Sequence, residues 1–338
     1  MPKNVAAFGE VMMRLQVPGY KLLSQGSTLN YSFSGTGVNV TAALARFGHT
    51  GLLVSTLPEN PIGDAALSYL QKLGITTSFI RRDGKYVGMY VLENGFGARP
   101  SRVTYTNRLE SSFNTTAEGT YDFNAIVKQV DVVHFCGITL AMNDTVRHLM
   151  KTLAKAVKEN GGTIVFDCNY RPSLWGEAGY IKAKPHYEEM LQLADIVMMN
   201  EMDAQFVLNL KTEKNDRSEQ LKELIPIVAK TYNISVIAGT HRTINGDNTH
   251  SLQGFIFKNQ AFHFSKTLSF SVYDRIGAGD AYSSGIIHGE MEGFSPEKTV
   301  EFAAAAGMLA HTIAGDTPMS TESEILRAIT ESVGDIER

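Results

Sequence analysis

An α/β fold, in which helices cover both faces of a parallel sheet that carries a small β-lid, is predicted by three features of this chain. From about residue 120 onward, strand-like apolar runs alternate with longer segments of helical period. Two earlier stretches, about 11–33 and 86–112, break that rhythm and are rich in β-branched and aromatic residues. Two glycine clusters, at residues 35–37 and 277–279, each run into a helical pattern, which presents backbone N–H groups to an anion.

The first lid stretch reads as a hairpin turning at Pro18-Gly19, with Tyr31 and Phe33 at alternating positions offering an apolar face to a second lid. Ser34-Gly35-Thr36-Gly37-Val38-Asn39-Val40 then leads into a helix that stops at Gly48, a residue suited to the left-handed conformation past a helix end. The second lid stretch has its strand pattern over 86–107 and a turn around Asn94-Gly95. Strands are predicted over 130–135, 163–167, 196–200 and 235–238, and helices over 144–159, 185–193 and 218–231. Such a βαβ succession binds ligands beyond the carboxyl ends of its strands, where Asp167-Cys168-Asn169-Tyr170-Arg171, Asn200-Glu201 and Thr240 fall. The polar tail 321–338, with Leu326 and Ile329 on one face, reads as a surface helix.

No linker separates modules, so the 338 residues are read as one domain over 1–338 with the lid segments inserted. A net charge of −4, with 31 Lys and Arg against 35 Asp and Glu, leaves no basic surplus for gripping nucleic acid, which is excluded as the main partner. Cys136 and Cys168 sit inside apolar runs without metal-ligand spacing and are expected as buried thiols. None of the nine histidines forms a zinc motif. The N-terminus lacks a signal peptide's apolar core, and no run approaches the roughly 18 apolar residues that cross a bilayer, so a cytoplasmic protein with no membrane partner is expected.

In Asp274-Arg275-Ile276-Gly277-Ala278-Gly279-Asp280 a carboxylate stands directly behind a glycine turn at a helix start. Converging N–H groups and the helix dipole suit a phosphate, and the same dipole is expected to hold Asp280 ionised. Taken alone, the segment is equally a tight turn whose Asp280 caps the helix. The Gly35-x-Gly37 cluster carries Val40 where a dinucleotide fingerprint needs a third glycine, which disfavours a nicotinamide enzyme. Asn39, entering the next helix with a donor and acceptors, suits a hydroxyl-rich ligand or a capping role.

Together, Gly35 to Asn39 and Asp274-x-x-Gly277-Ala278-Gly279-Asp280 resemble the two signatures of the ribokinase-like (PfkB) carbohydrate kinases. Three segments, Gly9-Glu10-Val11-Met12-Met13-Arg14-Leu15, Asp167 through Trp175, and His311 through Asp316, look like the 2-keto-3-deoxygluconate kinase branch, and the resemblance covers about residues 4–320. It implies a ribokinase-like three-layer α/β/α sandwich with a β-sheet lid, in which ATP, with Mg²⁺, and a sugar acid meet in the groove between them. The implied reaction is phosphorylation of 2-keto-3-deoxygluconate to its 6-phosphate. A fructokinase or other ketose kinase is the alternative within the class, and a sugar or nucleotide sensor without catalysis is the alternative outside it.

On the same resemblance, Asp280 is the catalytic base and Gly277, Ala278 and Gly279 form the anion hole, with Gly277 and Gly279 also touching nucleotide. The sugar acid is expected against Ser34, Gly35, Thr36, Gly37, Val38 and Asn39, with Tyr90, Tyr105, Arg108, Arg171 and Asp316. Arg108 is the implied partner of the substrate carboxylate. Asn169, Asn200, Thr240 and Arg242 fall to the nucleotide side, Asp203 to a metal-bound water, and a dimer through the lid to the quaternary structure. Three departures stand out. One extra residue separates Tyr105 from Arg108, Gly239-Thr240-His241-Arg242-Thr243 replaces a lysine-bearing glycine loop, and Asp203 stands where the branch has a longer carboxylate.

Overall fold

The computed structural model describes residues 2–177 and 179–330. Its large sheet has ten strands, and the run that positions the cleft is Val236–Ile244, Ile196–Met198, Thr163–Asp167, Val132–Cys136, Asn4–Phe8, Thr50–Leu57 and Ile80–Arg82, each parallel to its neighbour. Parallel strands are covered on both faces, and every residue of Val132–Cys136, His134 included, is accordingly buried. On one face Phe8, Phe135 and Phe166 meet helices Asp144–Glu159, Gly179–Leu193 and Arg217–Tyr232. On the other, Val5, Val132 and Val165 meet Thr36–Arg46, Ala278–Met291 and Pro296–Ala310. The result is the predicted three-layer sandwich.

Local signals explain most of these boundaries. Asp144–Glu159 starts where the Asn143 side chain accepts from the Val146 N–H at 2.9 Å, and it buries Val146, Leu149, Met150, Leu153 and Val157 along one stripe. The 163–167 strand and the 144–159 helix occur as predicted, and 218–231 appears as Arg217–Tyr232. The predicted 196–200 strand ends at Met198, because Asn200 turns to cap the helix Glu201–Phe206. The 185–193 helix begins earlier, at Gly179, with Pro185 inside it. The 235–238 strand continues to Ile244 because it gains an antiparallel partner, His250–Lys258, which pairs in turn with Ala261–Phe264 and Leu268–Phe270. Of the 321–338 tail, Glu322–Thr330 is helical and buries Ile325 against the second core face, so it is a docked helix; 331–338 lie outside the described residues.

The lid is a four-stranded sheet in the order Asn30–Ser34, Met12–Gln16, Gly88–Glu93, Arg102–Thr106. The first pair is antiparallel as expected, but residues 17–29 join it with a 3₁₀ turn at Leu23–Gln25 where a tight hairpin at Pro18-Gly19 was predicted. Phe33 does not share the exposed face predicted for it with Tyr31. It is 1% exposed and packs on Tyr69, whereas Tyr31 is 62% exposed.

What fastens lid to sandwich is Arg14, in the middle of Met12–Gln16. It is 1% exposed, and its Nη2 donates to Asp274 Oδ2 at 2.6 Å and to Gln16 Oε1 at 2.8 Å while Nη1 donates to Asp316. Asp274 precedes the helix Ala278–Met291 and Asp316 follows Pro296–Ala310, so one guanidinium holds both loops. No helix among the described residues is long and apolar enough to cross a membrane. Arg14→Met is expected to lower stability by about 3–5 kcal/mol, since two buried carboxylates lose their counter-charge. Urea unfolding checks this, and Asn at both 274 and 316 should restore most of the loss.

Candidate active site

A cleft of about 690 Å³ opens between the lid and the carboxyl ends of the parallel strands. Two helix N-termini form its floor. Gly35 caps Thr36–Arg46 with φ 153°, a conformation and a space that admit only glycine, since a Cβ there would strike the Glu10 carbonyl. Gly277 caps Ala278–Met291 at φ 83°, with its α-carbon against the Asp316 carbonyl. Gly279 has nothing within 4 Å of where a Cβ would stand, so its backbone faces the cleft unobstructed. The N–H groups of Ala278, Gly279 and Asp280 open the helix and have no acceptor within it. The Ala278 methyl packs with Ala281 and Ala310, which leaves only its backbone to offer.

Asp280 joins the two termini. Its Oδ2 accepts from Asn39 Nδ2 at 2.7 Å, and Asn39 Oδ1 accepts from Thr317 Oγ1 at 3.2 Å. Asn39, expected on the sugar, lines the cleft although only 3% exposed, and its amide orients Asp280. The Asp280 carboxyl opens onto the cleft but is otherwise enclosed by protein, and this burial pushes its pKa up to about 7, against the opposing Asn39 bond and Arg171 charge. Burial thus works against the ionised state that the helix dipole was expected to hold.

Asp167, at the end of its strand, is pushed to about 8 by burial and then by the charges of Asp280 and Asp203. Asp203 rises to about 6, again mainly by burial. Arg171 opposes all three shifts. Asp167, noted from sequence only as a polar residue beyond a strand end, was given no role there.

The remaining predicted residues divide. Ser34, Gly35, Thr36, Gly37, Tyr90, Tyr105, Arg108, Asn169, Arg171 and Asp316 all line the cleft. Val38 does not; it is fully buried in the core beneath. Asn200, Thr240 and Arg242 lie outside the cleft wall. Asn200 and Asp203 cap one another's backbone, Asp203 Oδ2 accepting from the Asn200 N–H at 2.9 Å, and Arg242 Nη1 meets His250 Nδ1 at 3.0 Å on the strand beyond. Arg275 lines the cleft instead.

The extra residue between Tyr105 and Arg108 is absorbed by Asn107, which takes φ 44°, so both side chains still reach the cleft, the guanidinium 4.9 Å above the tyrosine ring. Tyr90 donates to Asp316 and shares a 3.2 Å bond with Ser34 Oγ; burial pushes its pKa up to about 12 and keeps the phenol neutral. Asp316 thus already serves Arg14 and Tyr90, and each oxygen keeps a lone pair for a ligand. Glu10, Arg14, Asp274 and Thr317 were given no role from sequence, because their partners lie far away along the chain.

The chain is similar to known proteins over nearly its whole length. A protein from Enterococcus faecalis, described as a candidate 2-keto-3-deoxygluconate kinase, superposes with a TM-score of 0.95 at 37% identity, covering 99% of each chain. The 2-dehydro-3-deoxygluconokinase of Thermotoga maritima superposes with a TM-score of 0.92 at 32% identity, covering 97% of this chain and 100% of that one. The 2-dehydro-3-deoxygalactonokinase of Haloferax volcanii is 25% identical over 100% of both sequences. The family described as pfkB family carbohydrate kinase matches residues 2–323, and the chain belongs to it, a sugar kinase that transfers phosphoryl groups to an alcohol.

Proposed function

We propose that this kinase phosphorylates the terminal hydroxyl of 2-keto-3-deoxygluconate with ATP, giving the 6-phosphate. The observation that carries the choice of an acid sugar is Arg108. It lines the cleft with its side chain 10% exposed, and its Nη1 is buried without a hydrogen-bond partner. A guanidinium left in this state answers a carboxylate in bidentate fashion, which a neutral hexose cannot supply. The similarity to two 2-keto-3-deoxygluconate kinases above 30% identity supports the same class. The C4 epimer, 2-keto-3-deoxygalactonate, is the second reading, favoured by the relative from Haloferax volcanii.

In this mechanism Asp280 takes the proton from the attacking hydroxyl, and Asn39 fixes the carboxylate's angle. The free N–H groups of the Gly277–Gly279 turn receive the charge of the transferring phosphoryl group. No group of three His, Cys, Asp or Glu side chains among the described residues could hold a metal by itself. Mg²⁺ would arrive with the nucleotide, and Asp167 and Asp203 are the carboxylates that would meet its hydration shell. The ion's contribution is to neutralise phosphate charge. A sensor that binds without turnover is disfavoured by the kinase family match and by the Asp280–Asn39–Thr317 chain, which holds a carboxylate behind the anion turn. ATP supply assigns the work to the cytoplasm, and the exposed Tyr20, Leu23, Leu29, Tyr31 and Phe96 of the lid favour a second copy as partner, readable as twice the 37.1 kDa chain mass in solution.

ADP release measured with 2-keto-3-deoxygluconate, 2-keto-3-deoxygalactonate, fructose, ribose and gluconate tests the substrate. Turnover of the keto-deoxy acids is expected to dominate, and turnover of neutral sugars alone would sink the acid-sugar reading. Asp280→Asn should lower kcat by about 10²–10⁴-fold with nucleotide binding little changed. The base must be deprotonated to act, so with its pKa raised to about 7, kcat/KM should fall tenfold per unit below that pH and level off above it. A profile flat down to pH 5 would remove Asp280 as the base.

A further inference from the structure

We infer that Glu10 is the positioning residue that aims Arg108 at the substrate carboxylate; this rests on the acid-sugar reading above. Glu10 lies on the short link between the core strand Asn4–Phe8 and the lid strand Met12–Gln16, and it is 7% exposed. Its Oε2 accepts from Arg108 Nε at 2.8 Å. Its Oε1 accepts from Ser111 Oγ at 2.7 Å and Asn114 Nδ2 at 3.2 Å. Asn114 Nδ2 also donates to the Arg108 carbonyl at 2.8 Å, so backbone and side chain of the arginine are tied to one cluster.

A guanidinium has two edges on which it can be gripped, and a carboxylate can occupy either of them with two parallel bonds. Here Glu10 takes one bond on the Nε side and turns its second oxygen to Ser111 and Asn114. Nη1 is left enclosed and unpartnered. Tyr105 supports the plane of the group from below, 4.9 Å away. Arg108 lines the cleft, so the guanidinium held in this way is placed to meet a second carboxylate, supplied by the ligand.

The presence of Glu10 has a second effect. An isolated buried arginine would attract any anion, including the nucleotide's own phosphates, whereas the Glu10–Arg108 pair carries little net charge. Recognition then depends on bidentate geometry, and a neutral sugar leaves the buried Nη1 donor unsatisfied, which carries a desolvation penalty. Gly88 belongs to the same device: a Cβ there would strike Glu10 Oε1.

The test compares 2-keto-3-deoxygluconate with its analogue in which the carboxylate is reduced to an alcohol. Preference of the unmodified enzyme for the acid tests the acid-sugar reading; the change in that preference on altering Glu10 tests this inference. Glu10→Gln should raise the KM of the acid at least tenfold, leave kcat and the KM for ATP within about threefold, and leave the alcohol analogue unchanged. Arg108→Lys should act in the same way, and the double variant should be no worse than Arg108→Lys alone, since the two residues work as one. Gly88→Ala, which displaces Glu10 Oε1 without removing a polar group, should reproduce the KM effect in a smaller degree and serves where Glu10→Gln does not fold. Equal losses on both substrates, or additive effects in the double variant, would overturn the role.

Discussion

The guanidinium of Arg14, enclosed between Asp274 and Asp316, joins the two halves of the cleft, and the other site contacts depend on where it puts the lid. Asp274 does more than balance the charge. Its Oδ1 accepts from the N–H groups of Arg275 and Ile276 at 2.8 and 3.2 Å, and its Oδ2 from Gly315 at 3.3 Å, so the turn leading to Gly277 is shaped by the same carboxylate that holds the lid. Asp316 passes the connection to Tyr90, and its carbonyl backs Gly277. Lid position and anion-turn geometry are coupled through a few buried contacts. Charge burial of this kind carries a high desolvation cost, which fixes one arrangement firmly because every alternative leaves a charge unpaired.

A similar economy governs Asp280. As the proposed base, Asp280 would be weak if fully solvated and weaker still if fully paired to a cation. Here the partner is a neutral amide, Asn39, whose single bond orients the carboxyl without strongly favouring its charged form. Burial and the neighbouring Asp167 and Asp203 then set the protonation range of the group as a whole, with Arg171 as the counterweight. The lid wall uses the opposite arrangement, pairing Arg108 with a charged partner, Glu10.

Much of this was legible in the chain before folding was considered. The 163–167 strand, the 144–159 helix, the βαβ order and the two glycine clusters follow from periodicity, capping residues and glycine's freedom at φ 83° and 153°, all of which act over a few residues. The C-terminal antiparallel strands were missed because their pairing has no signal in helical period. Asn39, which lines the cleft, could not be tied to Asp280 from sequence, because nothing in its own neighbourhood discloses Thr317 or Asp280, which lie 278 and 241 positions away.

The sequence by itself therefore determined the class of fold, the glycine turn proposed to bind phosphate and the candidate base, since each is written in contiguous residues. The tertiary structure decided how those parts are charged and joined. Arg14 reaches Asp316 across 302 positions and Glu10 reaches Arg108 across 98, while the pKa of Asp280 depends on an enclosure assembled from several strands and helices. Desolvation and long-range pairing are properties of a folded neighbourhood, and no local pattern can encode which distant group will fill it.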